Sequence, residues 1–372
     1  EERKREYSRR ERFFAYWLSR IEGVGAKRAG KLYEYAGSFE AIYHMDETKL
    51  TALSFLGEKT GRAIAAARGQ LEQRRAEFEG LDRLGISLLL AGEAAYPRRL
   101  ENIYDMPVWL FVKGRLPAGE RPCAAVVGAR SCSPYGRQEA EYIGRLLAEH
   151  GVQVISGMAL GVDQAAHRGA RAAGGDTFAV LGCGPDLCYP RASRDIYEAL
   201  SGRGGILSEY GPGEPPLAPH FPVRNRLISG LSDLVIVVEA RKKSGSLITA
   251  DLALEQGREV CALPGRRIDP LSAGCNRLSR RGAAIVSEQE DILDFFHIKC
   301  KNSIKSKEKS GNTLAKTEKM VYSCLDSQPR HTEELMARSG LGAGECLLAL
   351  HQLELRGLAL QPANQYYVRK LE

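Results

Sequence analysis

Short apolar runs recur through the middle of the chain, each closing in a loop of small or charged residues. They are Ala124-Ala125-Val126-Val127, Val152-Gln153-Val154-Ile155, Phe178-Ala179-Val180-Leu181, Ile206-Leu207, Leu234 to Val238, Val260 to Leu263 and Ala283 to Val286. They do not alternate strictly with polar residues, which predicts parallel strands covered on both faces. Segments with helical spacing separate them, such as Arg137 to His150 with Ile143, Leu146 and Leu147. Strand–helix alternation of this kind predicts a doubly wound α/β core over about 123–297, with the strand-end loops on one edge. Upstream, Ile86 to Leu90 and Val108 to Val112 read as strands that extend the sheet on one side.

The flanks follow other patterns. Residues 13 to about 80 read as helical. Ile21-Glu22-Gly23-Val24-Gly25-Ala26-Lys27-Arg28-Ala29 is shaped like the turn of a helix-hairpin-helix, and Leu56 to Arg62 like a weaker copy. Such glycines can offer N–H groups to DNA phosphates, or can serve as turns of a packing domain. Residues 299–316 hold six lysines and little apolar content, the composition of a solvated linker. Beyond it, three short helices (Lys319 to Leu325, Thr332 to Ser339, Gly344 to Arg356) precede a hairpin, the order of a winged helix. Its third helix is poor in Arg and Lys, which favours a protein-contact or regulatory module over a sequence-specific reader. The expected domains are 1–82, 83–298 and 317–372, with 299–316 as linker.

A length of 372 residues suits two or three domains, and the net charge of +7 is compatible with a nucleic-acid partner without requiring one. The nine cysteines include no C-x-x-C pair, so no zinc site or disulfide framework is indicated and reduced thiols in a cytoplasm are expected. No signal peptide or long apolar run is visible, and no membrane association is expected. The start at Glu1, in a charged segment, suggests a trimmed terminus.

Candidate chemistry sits in the strand-end loops, where helix N-termini favour anions. Gly128-Ala129-Arg130-Ser131 opens the first. Only Gly128 and Gly136 are present where a dinucleotide fingerprint needs three glycines, and no Walker-type loop occurs, so a polynucleotide phosphate is favoured over NAD or ATP. In the second loop, Ser156 and Gly157 can offer a hydroxyl and an N–H. There Asp163 and His167 share a helix face, either as a metal or acid–base pair or, for Asp163, as a favourable dipole partner. Tyr189-Pro190-Arg191 adds an aromatic and a cation. His220-Phe221-Pro222-Val223-Arg224-Asn225-Arg226 has the ingredients for phosphate contacts and base stacking, with Phe221 either stacking or anchoring a loop. Arg241-Lys242-Lys243-Ser244-Gly245-Ser246 makes a second anion cradle. Together these loops describe a basic groove suited to a single strand's backbone.

With these residues in view, the chain resembles the DNA-processing protein A (DprA/Smf) family over about Tyr96 to Ile292. The resemblance rests on Gly128-x-Arg130 with Pro134-Tyr135-Gly136, Ser156-Gly157-Met158-Ala159-Leu160-Gly161-Val162-Asp163, His167-Arg168-Gly169-Ala170, Ser208-Glu209-Tyr210, His220-Phe221-Pro222-x-Arg224-Asn225-Arg226, Ser244 to Thr249 and Leu263-Pro264-Gly265. It implies an extended Rossmann-like sheet with a SAM or helix-hairpin-helix-like domain before it and a winged helix after it. It also implies a cytoplasmic homodimer that binds single-stranded DNA and loads the RecA recombinase during natural transformation, with no catalysis, cofactor or metal. Carried onto this chain, the DNA-binding candidates are Gly128, Arg130, Ser131, Ser156, Gly157, Met158, Arg191, Phe221, Arg224, Asn225, Arg226, Lys243, Ser244, Gly245 and Ser246. The chain departs from the family's usual Asn at Ser193 and Thr at Cys275. The alternative is a Rossmann-fold hydrolase of the N-glycosidic bond of nucleoside monophosphates. That reading lacks its usual carboxylate, since Leu252 stands in the position, and Glu209 or Asp163 would have to substitute. A sequence-specific regulator is disfavoured by the uncharged third helix.

Overall fold

A computed structural model describes residues 5–298 and 314–370. Its N-terminal part is helical: α1 (Arg9–Ser19), α2 (Ala26–Ala36), α3 (Phe39–His44), α4 (Glu47–Ala52), α5 (Glu58–Ala66) and α6 (Leu71–Glu79). Ser8 starts α1 by accepting the Glu11 N–H at 3.1 Å, the bond that an N-cap serine supplies to an otherwise unpaired donor. Phe13, Phe14, Tyr16, Trp17 and Leu18 of α1 are buried, each worth roughly 1.5–3 kcal/mol of transfer free energy. Their cluster continues without a break into Ile86, Leu88 and Leu90 of β1 (Ile86–Leu90) and Trp109 and Phe111 of β2 (Trp109–Gly114). The helices are thus one packing unit with the sheet edge, and the 82/83 position falls inside a shared core.

The sheet continues through β3 (Cys123–Val127), β4 (Gln153–Ser156), β5 (Thr177–Leu181), β6 (Gly205–Ser208), β7 (Leu234–Val237), β8 (Glu259–Ala262) and β9 (Ala284–Ile285). Its order is β1-β2-β6-β5-β4-β3-β7-β8-β9. Only β2 runs against its neighbours; β6 through β9 pair in parallel, for example Ala125 with Ile155 on one side and Val235 on the other.

Alternate residues of β3 explain the missing polar alternation, because both sets are buried under helices. Cys123, Ala125 and Val127 face α7 (Arg98–Glu101), α11 (His220–Gly230), α12 (Gly245–Glu255) and α13 (Ala273–Arg280). Ala124 and Val126 face α8 (Pro134–Glu149), α9 (Val162–Ala172) and α14 (Gln289–Phe295). A further helix, α10 (Arg194–Gly202), covers the β5–β6 end. The chain winds outward from β3 to β6, then returns to place β7 on the other side of β3. The topological switch point of the sheet, where strand-end loops part and a crevice opens, therefore lies between β3 and β7.

Beyond the core, α15 (Lys316–Cys324), α16 (Thr332–Ser339) and α17 (Ala343–Leu355) pack with a small sheet of β10 (Arg330–His331), β11 (Ala359–Ala363) and β12 (Tyr366–Arg369), a winged helix. Two residues make β10, too few for a hydropathy signal. Residues 299–313 of the expected linker, with Cys300, lie outside the described residues; Lys316, assigned to that linker, begins α15. The described cysteines are free. Burial pushes the thiols of Cys123 up to about 11 and of Cys261 and Cys275 up to about 12, so they pack rather than react.

Candidate nucleic-acid interface

The β3/β7 crevice is an open cavity of about 570 Å³. Loops after five parallel strands meet there, bringing Gly128, Arg130, Ser131, Phe221, Arg224, Asn225, Lys243, Ser244, Gly245 and Ser246 together. Gly128 is required: a Cβ would meet Val162 Cγ2 at 2.6 Å and the Glu239 carbonyl oxygen at 3.0 Å. Arg130, Ser131, Arg241 and Lys243 are exposed, and no carboxylate pairs with these three cations among the described residues.

Phe221 stands between the charged loops. It sits in the first turn of α11, half-buried, so it belongs to a helix start and not to a loop that it would anchor. Its ring centroid lies 5.4 Å from Arg130 Cζ, 6.0 Å from Arg224 Cζ and 5.5 Å from the Tyr189 ring. Asn225 Nδ2 donates to the Gly245 carbonyl at 3.3 Å and ties α11 to the start of α12. The Ser244 hydroxyl caps α12 and lies 2.8 Å from Ser246 Oγ. Unpaired guanidinium and ammonium groups beside an aromatic face can hold phosphates and stack a base.

Several expectations require correction. The N-terminus of α8, read as an anion site, is already filled. Glu239 accepts the Ser133 N–H at 2.8 Å and the Ser133 hydroxyl at 2.5 Å, and the Ser133 hydroxyl in turn accepts the Gly136 N–H at 3.0 Å. Gly136 is needed because a Cβ would collide with that carboxylate. The loop before α9 is closed by a carboxylate too, this one from the first turn of α9 itself. Asp163 accepts the N–H groups of Gly157 at 3.0 Å and Ala159 at 3.3 Å, drawing Met158 between them to φ +57°. Asp163 is therefore an acceptor for the loop that precedes its helix, and burial raises its pKa. His167 is buried with its Nδ1 2.7 Å from Thr177 Oγ1, and burial lowers its pKa to about 3. The two do not form a ligand pair, and no group of three or more candidate metal ligands exists among the described residues.

Ser156, Gly157 and Met158 are buried, with the Ser156 hydroxyl donating to the Val126 carbonyl at 2.7 Å, so they do not open onto the cavity. Arg224 lines the cavity floor but is only 4% exposed and donates to the Gly157 and Val180 carbonyls. Burial lowers its pKa to about 10. Arg226, on another face of α11, is 2.7 Å from Glu209. It lines a second cavity of about 1060 Å³ with the Gly23-Val24-Gly25 hairpin, where Arg20 and Lys27 also pair with Glu214 (3.6 Å) and Asp105 (3.2 Å). Arg191 is exposed but outside the first cavity. Arg241 and Tyr189 line that cavity and were left out of the candidate set. Both occur in strand-end loops beside chosen residues, which was the available signal.

Comparison with known proteins agrees with this architecture. Residues 87–297 match the family described as DNA recombination-mediator protein A, 305–363 the DprA winged helix domain and 18–68 the SAM-like helix-hairpin-helix tandem. DNA processing protein DprA of Streptococcus pneumoniae is 47% identical over 201 residues, covering 54% of this chain and 71% of that protein. Its X-ray structure superposes with a TM-score of 0.67 at 37% identity, over 76% of this chain and 97% of that one. Protein Smf of Escherichia coli K12 is 36% identical over 84% of this chain and 87% of its own length. A Helicobacter pylori DNA processing protein A, whose structure was described for its single-stranded DNA binding mode, matches with a TM-score of 0.52 at 31% identity, over 57% of this chain and 95% of that one.

Proposed function

Because the chain belongs to the DprA/Smf family of DNA-processing proteins, we propose that it binds single-stranded DNA in the β3/β7 cavity and passes the strand to a RecA recombinase during natural transformation. In this reading the protein is a cytoplasmic homodimer and acts without catalysis or cofactor. The observation that carries the binding step is the cluster of Arg130, Arg241 and Lys243, exposed around Phe221 and Tyr189 and without a carboxylate partner among the described residues. The N–H groups at the α8 start and in the loop before α9 already bind Glu239 and Asp163, so side-chain cations and the α12 start are left to take phosphates. No helix among the described residues is long and apolar enough to cross a membrane.

No specific observation favours the N-glycosidic hydrolase. Asp163 is bound to backbone N–H groups, and Glu209 is buried against Arg226 with its pKa raised by burial. A gel-shift of the full chain with single- and double-stranded oligonucleotides over a salt series tests the proposal. Single-strand preference with a steep salt dependence is expected; equal or no binding contradicts it. Nucleoside monophosphates incubated in parallel should remain uncleaved, and released base would revive the enzyme.

A further inference from the structure

The cavity ends at the loop after β7, but the cationic edge continues. β8 is the next strand, two inter-strand spacings or ~10 Å from β3. Its strand-end loop carries Arg266, Arg267 and Ile268, all exposed, Ile268 to 78%. Neither arginine has a carboxylate partner among the described residues. The loop is pinned. Asn276 accepts the Gly265 N–H at 3.2 Å and donates to the Gly265 carbonyl at 3.0 Å, while Asp269 turns inward to accept the Leu271 N–H at 2.9 Å. Ala240 donates its N–H to the Leu271 carbonyl and accepts from Gly274, both at 2.7 Å. Since Ala240 precedes Arg241, the loop is bonded directly to the segment that supplies the cavity's cations.

A fixed tip holding a bare isoleucine next to two arginines without a carboxylate partner among the described residues has the chemistry of a strand contact: charge for phosphates and an apolar surface for a base face. We propose that Arg266, Arg267 and Ile268 form a second contact for the DNA strand where it leaves the cavity across β7 and β8. The two guanidinium groups take successive phosphates and Ile268 packs against the base between them. This rests on the single-strand reading of the cavity, and it makes the footprint longer than the cavity alone would hold.

The test is fluorescence anisotropy with oligothymidylates of increasing length at several salt concentrations, using the full chain, R266A/R267A and I268D. The shortest strands should bind all three alike. Once the strand reaches the loop, the unaltered chain should gain affinity that R266A/R267A lacks. Its log–log salt slope should exceed the variant's by about 1.4, two contacts at about 0.7 each on single strands. I268D should lose about tenfold on long strands only, the size of one stacked base. Equal affinities and slopes at every length would overturn the inference while leaving the cavity reading intact. So would an I268D variant whose only change is a smaller assembly mass, which would make the loop a self-association surface. Absence of binding at every length would overturn both readings.

Discussion

Replacing Arg130 and Lys243 together by alanine removes two exposed charges from the cavity without disturbing a buried bond, since neither side chain has a partner among the described residues beyond the Arg130–Phe221 contact. If each holds one phosphate, the double variant releases two fewer counterions on binding. On a single strand that flattens the slope of log affinity against log salt by about 1.4. Between roughly 50 and 200 mM salt, a fourfold change, the variant's disadvantage should then shrink about sevenfold, being largest at low salt. Anisotropy titrations with one labelled oligonucleotide at four salt concentrations measure this, with unfolding curves confirming an intact fold. Parallel lines, whether or not affinity falls, would refute the reasoning, because lost affinity without a changed slope means that these groups do not neutralise phosphates.

Arg226→Ala should behave in the opposite way, leaving the salt slope unchanged but costing about 3–5 kcal/mol in urea unfolding, because Glu209 is left buried without its cation. Glu239→Ala should cost about 3 kcal/mol in the same assay, the loss of two charge-assisted hydrogen bonds at the α8 start, and unchanged stability would show that those donors are satisfied otherwise. Phe221→Ala should weaken strand binding by about 1–3 kcal/mol in anisotropy titrations while Phe221→Trp retains it, and equal losses would point to a packing role instead. His167 is neutral in the fold, with its pKa lowered to about 3 against 6.5 unfolded, so the unfolded state binds more protons between those values. Stability should therefore fall as pH drops below about 6.5, and His167→Gln should reduce that slope in urea unfolding between pH 4 and 7 by up to about 1.4 kcal/mol per pH unit.

Strand positions were legible because burial on both faces leaves an apolar run wherever a strand passes through the core, as in Ala124 to Val127 and Leu234 to Val238. The meeting of strand-end loops followed from parallel winding alone. Which polar groups in those loops stay available was not legible. Arg224 and Arg226 are two residues apart, yet the helix sends one to the cavity floor and the other to Glu209. The acceptor at the α8 start comes from Glu239, 106 positions away, and no local pattern announces such a pairing. Ser156 and Gly157 have the composition of an anion loop, but their hydrogen-bonding groups are taken by Val126 and Asp163.

The most direct measurement is photocrosslinking of the full chain to an oligothymidylate carrying 5-iodouracil at one internal position, with the adduct mapped by mass spectrometry. The account predicts adducts on Phe221 or Tyr189, whose rings lie 5.5 Å apart at the cavity. Adducts confined to the α2 hairpin or the winged helix, with the cavity aromatics unmodified, would contradict it.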